Sequence, residues 1–257
     1  MDPFSTYNLL DLGLVPAGAM EGLDSVINPR YADIYARLTK VGSYFEPDLE
    51  AIATLAPDLI LASTGQEEVQ DRLTAIAPTV LVTATTSSTW PQAAQQVAVA
   101  VGRETQLESL RSAYTTRAAE IEARHGARLA ELTWAMIWQG KSEGFSVRSA
   151  KSNGGQVLEL AGVRFNALIR QADGDADTEL SWEEIDKIAD ADVICLPGTT
   201  TGEPDPGTEL IRTNKLFAGL EAAKSGRVLT FDYMTPGSYL NATQLLEELD
   251  LALTSLP

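Results

Sequence analysis

Two glutamates, Glu50 and Glu183, stand where acidic chemistry would be placed on purpose. Each opens a short helical pattern that runs into an apolar strand, in "EPDLEAIATLAPDLILAS" (46–63) and in "ELSWEEIDKIADADVICLPG" (179–198). Aligning the two glutamates also aligns Ile52 with Ile185, Leu55 with Ile188 and Ala56 with Ala189. One extra residue, Asp190, then brings Asp58-Leu-Ile-Leu opposite Asp192-Val-Ile-Cys. Such units could set one surface carboxylate on each half of the chain, a matched pair addressing a two-fold partner. A plainer role stands beside this one. An acidic residue in a first helical turn complements the helix dipole by roughly 0.3–1 kcal/mol, and Asp48 or Ser181 can cap the same helices.

Other reactive groups are sparse. Cys195 is the only cysteine, His125 the only histidine. Cys195 lies in the apolar run "DVICLPG" and reads as a core residue rather than a nucleophile. His125, in "EARHGARL", suits the dipole-facing end of a helix. A zinc site built on several His or Cys is impossible, and a Ser-His-Asp triad would need His125. Carboxylate pairs such as Glu67-Glu68 and Glu183-Glu184 are sequence neighbours, which diverge on a helix and make poor acid–base dyads. No P-loop, no G-x-G-x-x-G at a strand–helix turn and no G-x-S-x-G occurs. An α/β enzyme is therefore disfavoured.

The elements that must position the glutamates follow from hydrophobic patterning. Apolar runs short enough for buried strands recur in "LVPAGA", "DLILAS", "TVLVT", "TWAMIW", "DVICLPG" and "RVLTFD", with helical patterns between them. Continuous rather than alternating runs predict parallel strands covered on both faces, and strand–helix alternation predicts an α/β fold. From Pro91 to Arg124 the chain turns rich in Ala, Gln, Glu and Arg, and Leu107, Leu110, Tyr114 and Ile121 share one helical face. The expected plan is two Rossmann-like α/β lobes with mostly parallel sheets, an N-terminal lobe over 1–101 and a C-terminal lobe over 126–257. A long connecting helix over 102–125 joins them. Gly198 to Glu209 reads as a loop.

At 257 residues the chain can bury a large core. Its formal net charge of -17 argues against nucleic acid, which needs clustered Lys and Arg. It also favours neutral or cationic ligands over polyanions. No run reaches the eighteen or so apolar residues of a membrane span. The opening "MDPFSTYNLL" has neither part of a signal peptide, and no cysteine near it offers a site for a lipid.

The sequence resembles the substrate-binding proteins of iron-siderophore and vitamin B12 ABC importers, the helical-backbone class of periplasmic binding proteins. The resemblance is carried by "LLDLGLVPAGA" (9–19), "VGSYFEPDLEAIATLAPDLILAS" (41–63) and "LTAIAPTVLV" (73–82). In the second half it is carried by "SNGGQVLELAGV" (152–163), "SWEEIDKIADADVI" (181–194) and "LFAGLEAAKSGRVLTFD" (216–232). It implies a non-enzymatic, monomeric protein that holds a ferric siderophore between two lobes bridged by a rigid helix. The ligand is cargo, and no cofactor is implied. It further implies that Glu50 and Glu183 dock onto arginines of a dimeric permease, contacts that are charge-assisted and geometrically selective. Location outside the cytoplasm is implied as well, with the membrane reached only through a lipid anchor. Relatives carry a strand of the type "RVVAL" before "LLDLG", so the first strand, the export signal and the anchor are expected upstream of Met1.

In this architecture ligands sit at the carboxyl ends of the strands. The candidate contacts are Tyr44 and Trp90 in the first half, with Phe4 nearby. In the second half they are Trp138, Arg148, Arg170 and Tyr233, together with Phe145. Aromatic faces can line the apolar envelope of a ferric hydroxamate, and Arg or Tyr can donate hydrogen bonds to its oxygens. Trianionic catecholates would want more converging cations than Arg148, Arg170 and Lys141 supply, so hydroxamates or mixed ligands lead. A cobalamin or haem binder is the alternative within the same fold, with Tyr44, Tyr233 and Met234 as possible axial ligands.

Overall fold

The computed structural model describes residues 3–24, 27–83, 89–141, 144–172 and 177–257. The chain divides into two compact units, residues 1–112 with 237–240, and residues 113–236 with 241–257.

The first unit opens with helix α1 (Pro3–Asp11), followed by strand β1 (Gly18–Ala19), helix α2 (Ala32–Arg37) and strand β2 (Thr39–Lys40). Then come α3 (Leu49–Thr54), β3 (Ile60–Ser63), a 3₁₀ turn over Thr64–Val69, α4 (Gln70–Thr74) and β4 (Thr79–Val82). Pairing is parallel throughout, β1 with β2 and β3 with β4. All four residues of β3 are buried, as a continuous apolar run requires when both faces are covered. Helix α5 (Trp90–Val101) turns Trp90, Ala93, Ala94, Val97 and Ala98 inward at three- and four-residue spacing. Pro91 suits its first turn, and Gly102 closes it in the left-handed region at φ 63°. A cavity of about 480 Å³ lies between β1 and β3, lined by Leu14, Gly18, Ile52, Leu55 and Ile60 among others.

Helix α6 (Glu104–Glu131) starts in the first unit and continues into the second. It buries Leu107, Tyr114, Ala118, Ile121 and Leu129, again one stripe. His125 is not at its end: the helix runs six residues further, and His125 Nε2 lies 2.6 Å from Asp250 Oδ1. A dipole-facing role is therefore replaced by a specific side-chain partner. Asp250 also accepts from Arg117 Nη2 and Arg124 Nη1, both at 2.6 Å. Burial raises the Asp250 carboxyl, but these three partners outweigh it and hold the group down at about 2.

The second unit is built on β5 (Trp134–Gln139), β6 (Gly144–Val147), helices α7 (Asn153–Leu160) and α8 (Ala167–Gln171), and β7 (Thr178–Ser181). It continues through a 3₁₀ helix over Trp182–Ile188, β8 (Val193–Pro197), helices α9 (Pro206–Thr213), α10 (Lys215–Ala218) and α11 (Glu221–Lys224), and β9 (Val228–Phe231). Helix α12 (Tyr239–Ser255) begins in the first unit and packs Ala242, Leu245, Leu246, Leu249 and Leu253 inward. The sheet order is β7-β6-β5-β8-β9. Strands β5, β8 and β9 are parallel, while β6 and β7 add an antiparallel edge. Cys195, in β8, has no exposed surface, and burial pushes its thiol well above the usual range.

Candidate functional site

The most informative local structure is the turn between β2 and α3. Gly42 takes φ +85° and bridges Pro47, with Asp48 N donating to Val41 O at 3.0 Å and Ser43 N to Glu46 O at 3.1 Å. A Cβ on Gly42 would meet Glu46 O at 2.4 Å and Asp48 N at 2.6 Å, so only glycine fits both the conformation and the space. This tight hairpin does two things at once. Its tip projects Tyr44 and Phe45, whose rings meet edge to face at 5.1 Å. Its exit delivers Asp48, whose carboxylate accepts from Glu50 N and Ala51 N at 3.1 and 2.9 Å, capping the helix that presents exposed Glu50.

Tyr44 lands at the carboxyl end of β3. Its hydroxyl lies 3.0 Å from Ser63 Oγ, and Gln66 Nε2 donates to its carbonyl at 2.7 Å. Gln66 is buried, and its Oε1 takes the Ser63 amide at 3.0 Å, so a Ser-x-x-Gln capping box pins strand, turn and tyrosine together. Gly65 leaves room for the phenol, since a Cβ there would come within 2.2 Å of Tyr44 Oη. Phe45 is 88% exposed, a large apolar face beside a half-buried phenol.

In the second unit, the antiparallel register of β5 and β6 pairs Trp138 with Ser146 and so puts Arg148 on the same face. The Arg148 guanidinium carbon stands 4.6 Å from the centroid of the half-buried Trp138 ring, a cation–π contact. Arg148 also forms an ion pair with Asp177 just before β7, Nε to Oδ1 at 3.2 Å. Burial raises the Asp177 carboxyl and Arg148 draws it partly back. After β9, the backbone amides of Asp232 and Tyr233 both donate to Glu248 of α12, at 3.1 and 3.3 Å. Burial pushes the Glu248 carboxyl up to about 7 and the half-buried Tyr233 phenol up to about 12. Arg170 is exposed at the end of α8.

Glu183 is exposed in the first turn of the 3₁₀ helix over Trp182–Ile188. That turn is set by Glu184, whose Oε2 accepts from Ser181 N and Ser181 Oγ at 3.0 and 3.1 Å. Hydrogen bonds from Lys187 and Ser181 hold the Glu184 carboxyl at about 2. The two glutamates thus differ in kind from their neighbours Asp48 and Glu184, which satisfy backbone donors while Glu50 and Glu183 face solvent.

Two aromatic candidates are interior. Trp90 is 1% exposed and packs edge-on against Tyr239 at 4.9 Å, so its ring offers no face to a ligand. Phe145 is fully buried beside Trp182, at 5.2 Å. Phe4 packs against Tyr7 and over Gly237. Met234 is 3% exposed, which takes its thioether out of reach of a haem iron in this conformation. Sequence reasoning missed Phe45, Gln66, Asp177 and Glu248. For Gln66 the signal was present in Ser63-Thr-Gly-Gln, a capping-box pattern directly after a strand.

A family model described as periplasmic binding protein matches residues 2–233. Bacillus subtilis YhfQ, provisionally described as an ABC transporter substrate-binding lipoprotein, is 27% identical over 236 residues, 87% of this chain and 72% of that one. The petrobactin-binding protein YclQ of the same organism is 26% identical over 256 residues, 95% of this chain and 78% of its own. Among solved structures, the siderophore periplasmic binding protein from the fuscachelin gene cluster of Thermobifida fusca superposes with a TM-score of 0.86 at 26% identity. That match covers 98% of this chain and 94% of the other.

Proposed function

Because the chain belongs to the periplasmic binding protein family, we propose that it is the substrate-binding protein of an ABC importer for ferric siderophores, hydroxamates favoured. Its role is capture and delivery, without a chemical step. The observation that carries this reading is the Gly42–Pro47 hairpin. One turn holds Tyr44 at the carboxyl end of β3, where α/β folds bind ligands, and starts the helix that offers Glu50 to solvent. Ligand contact and partner contact are thereby built from adjacent residues of a single rigid segment.

The ligand-facing set is Tyr44 in the first unit with Trp138, Arg148, Arg170 and Tyr233 in the second; Phe45 joins it on exposure. Phenol and guanidinium groups donate hydrogen bonds to chelate oxygens, and the aromatic faces cover the organic envelope. Glu50 and Glu183 face arginines of the permease dimer, one from each unit. The related proteins are lipoproteins or periplasmic proteins by description, which supports a site of action outside the cytoplasm.

Titration of tryptophan fluorescence with ferrioxamine B tests the reading. Saturable quenching is expected with the ferric complex and not with the metal-free chelator or with iron alone. Silence across a panel of hydroxamate, mixed and catecholate ferric complexes refutes it.

A further inference from the structure

The Arg148–Asp177 pair is close but poorly made. Nε and Oδ1 are 3.2 Å apart, yet among the described residues neither atom has a hydrogen-bond partner, and both are sealed from water. The rest of each side chain remains reachable, at 23% and 27% exposure. The guanidinium is meanwhile held against the Trp138 ring, so its position does not depend on Asp177 alone. Asp177 therefore supplies charge more than geometry. It cancels the arginine's field without consuming the arginine's directed N–H groups, which keep their value for an oxygen of different placement. Among the described residues the surrounding charges leave this cancellation in force, since Glu179 and Lys141, which also act on Asp177, push in opposite directions.

Resting on the function proposed above, we infer that Asp177 is a charge filter for the ligand. By neutralising Arg148 in advance, it lets the Trp138 face accept ferric complexes of low or positive net charge and turns away trianionic ones. Arg148 still donates a hydrogen bond to a hydroxamate oxygen, while a tris-catecholate meets a carboxylate where it needs a free cation. The chain's formal net charge of -17 works in the same direction.

Affinities of the full chain and of Asp177→Asn for two probes decide the matter. One probe is ferrioxamine B, a cationic trihydroxamate, and the other is a trianionic ferric tris-catecholate. Asp177→Asn is expected to bind the catecholate at least about tenfold more tightly, the order of effect of one unit charge in a partly hydrated site. Ferrioxamine B affinity should move less than about threefold, and adding Arg148→Gln should erase the catecholate gain. An equal change for both probes, of either sign, overturns the inference, as does a gain that survives Arg148→Gln. If neither protein binds either chelate, the proposed function falls, and citrate becomes the probe. Quenching of tryptophan emission by citrate in Asp177→Asn alone then upholds the filter; no quenching in either protein overturns that too.

Discussion

Replacing Gly42 by alanine tests the link between ligand face and partner face most directly. Two penalties add. Alanine at φ +85° carries a left-handed strain of about 1 kcal/mol. Its methyl would also meet two backbone atoms, Glu46 O at 2.4 Å and Asp48 N at 2.6 Å, neither of which can rotate away. Forced displacement of packed atoms costs about 1–3 kcal/mol, so the sum is about 2–4 kcal/mol. For a chain of this size that corresponds to a fall in Tm of roughly 5–12 °C. Gly13 is the control: φ is +78° but a Cβ there meets nothing within 4 Å, so Gly13→Ala should lose only the strain, roughly 2–4 °C. Scanning calorimetry of both variants, with ferrioxamine B affinity measured alongside, separates the two contributions. Gly42→Ala should also weaken ligand binding, because Tyr44 rides on the hairpin. If Gly42→Ala melts within 2 °C of Gly13→Ala and binds ligand as well as the wild type, the hairpin does not hold the site.

Three further outcomes follow from the same contacts. Glu50→Ala and Glu183→Ala should leave ligand Kd within about twofold while abolishing transport in a reconstituted importer, since neither side chain holds the fold; loss of ligand binding in a folded variant would contradict the docking role. Glu248 is raised from 4.5 to about 7, so the folded protein keeps a proton that the unfolded chain releases; its stability contribution is complete below pH 4.5 and is lost as pH rises to about 7, by up to ~3 kcal/mol. Glu248→Gln should flatten that part of the Tm–pH profile, and an unchanged slope counts against the assignment. Asp250→Ala takes a partner from Arg124 and His125 while Arg117 keeps Glu247, and should cost about 1–3 kcal/mol in urea melts; wild-type stability from Asp250 is present above pH 3.8 and fades as pH falls to about 2.

The sequence was legible where burial on both faces leaves an unbroken apolar run. Strands β3, β5 and β8 follow such runs, as in "DLILAS" and "DVICLPG", while β4 and β9 lie in similar apolar runs although only the last residue of each is buried. Strands β6 and β7, "GFSV" and "TELS", were not legible, because each is four residues of mixed polarity; the edge strand β7 takes its definition from its register against β6, and β6 from its antiparallel register against β5. The same register brings Arg148 over Trp138, a proximity that no spacing within one segment encodes. Trp90 misled for a related reason: it read as a ligand contact at the carboxyl ends of the strands, whereas it is the first residue of α5 and lies on that helix's buried face. At the hairpin, Tyr44 and Glu50 were visible as residue types. Their mechanical connection lay in the backbone of Gly42, which composition does not reveal.

The lone thiol of the chain offers a readout that no engineered label would improve. Cys195 is stacked inside the second unit's sheet, without solvent contact, and only its ionised form reacts with alkylating agents. Modification must therefore wait for that sheet to open. Its rate, followed with and without a bound chelate, becomes a clock for how far cargo slows the opening of the half that carries Arg148 and Tyr233.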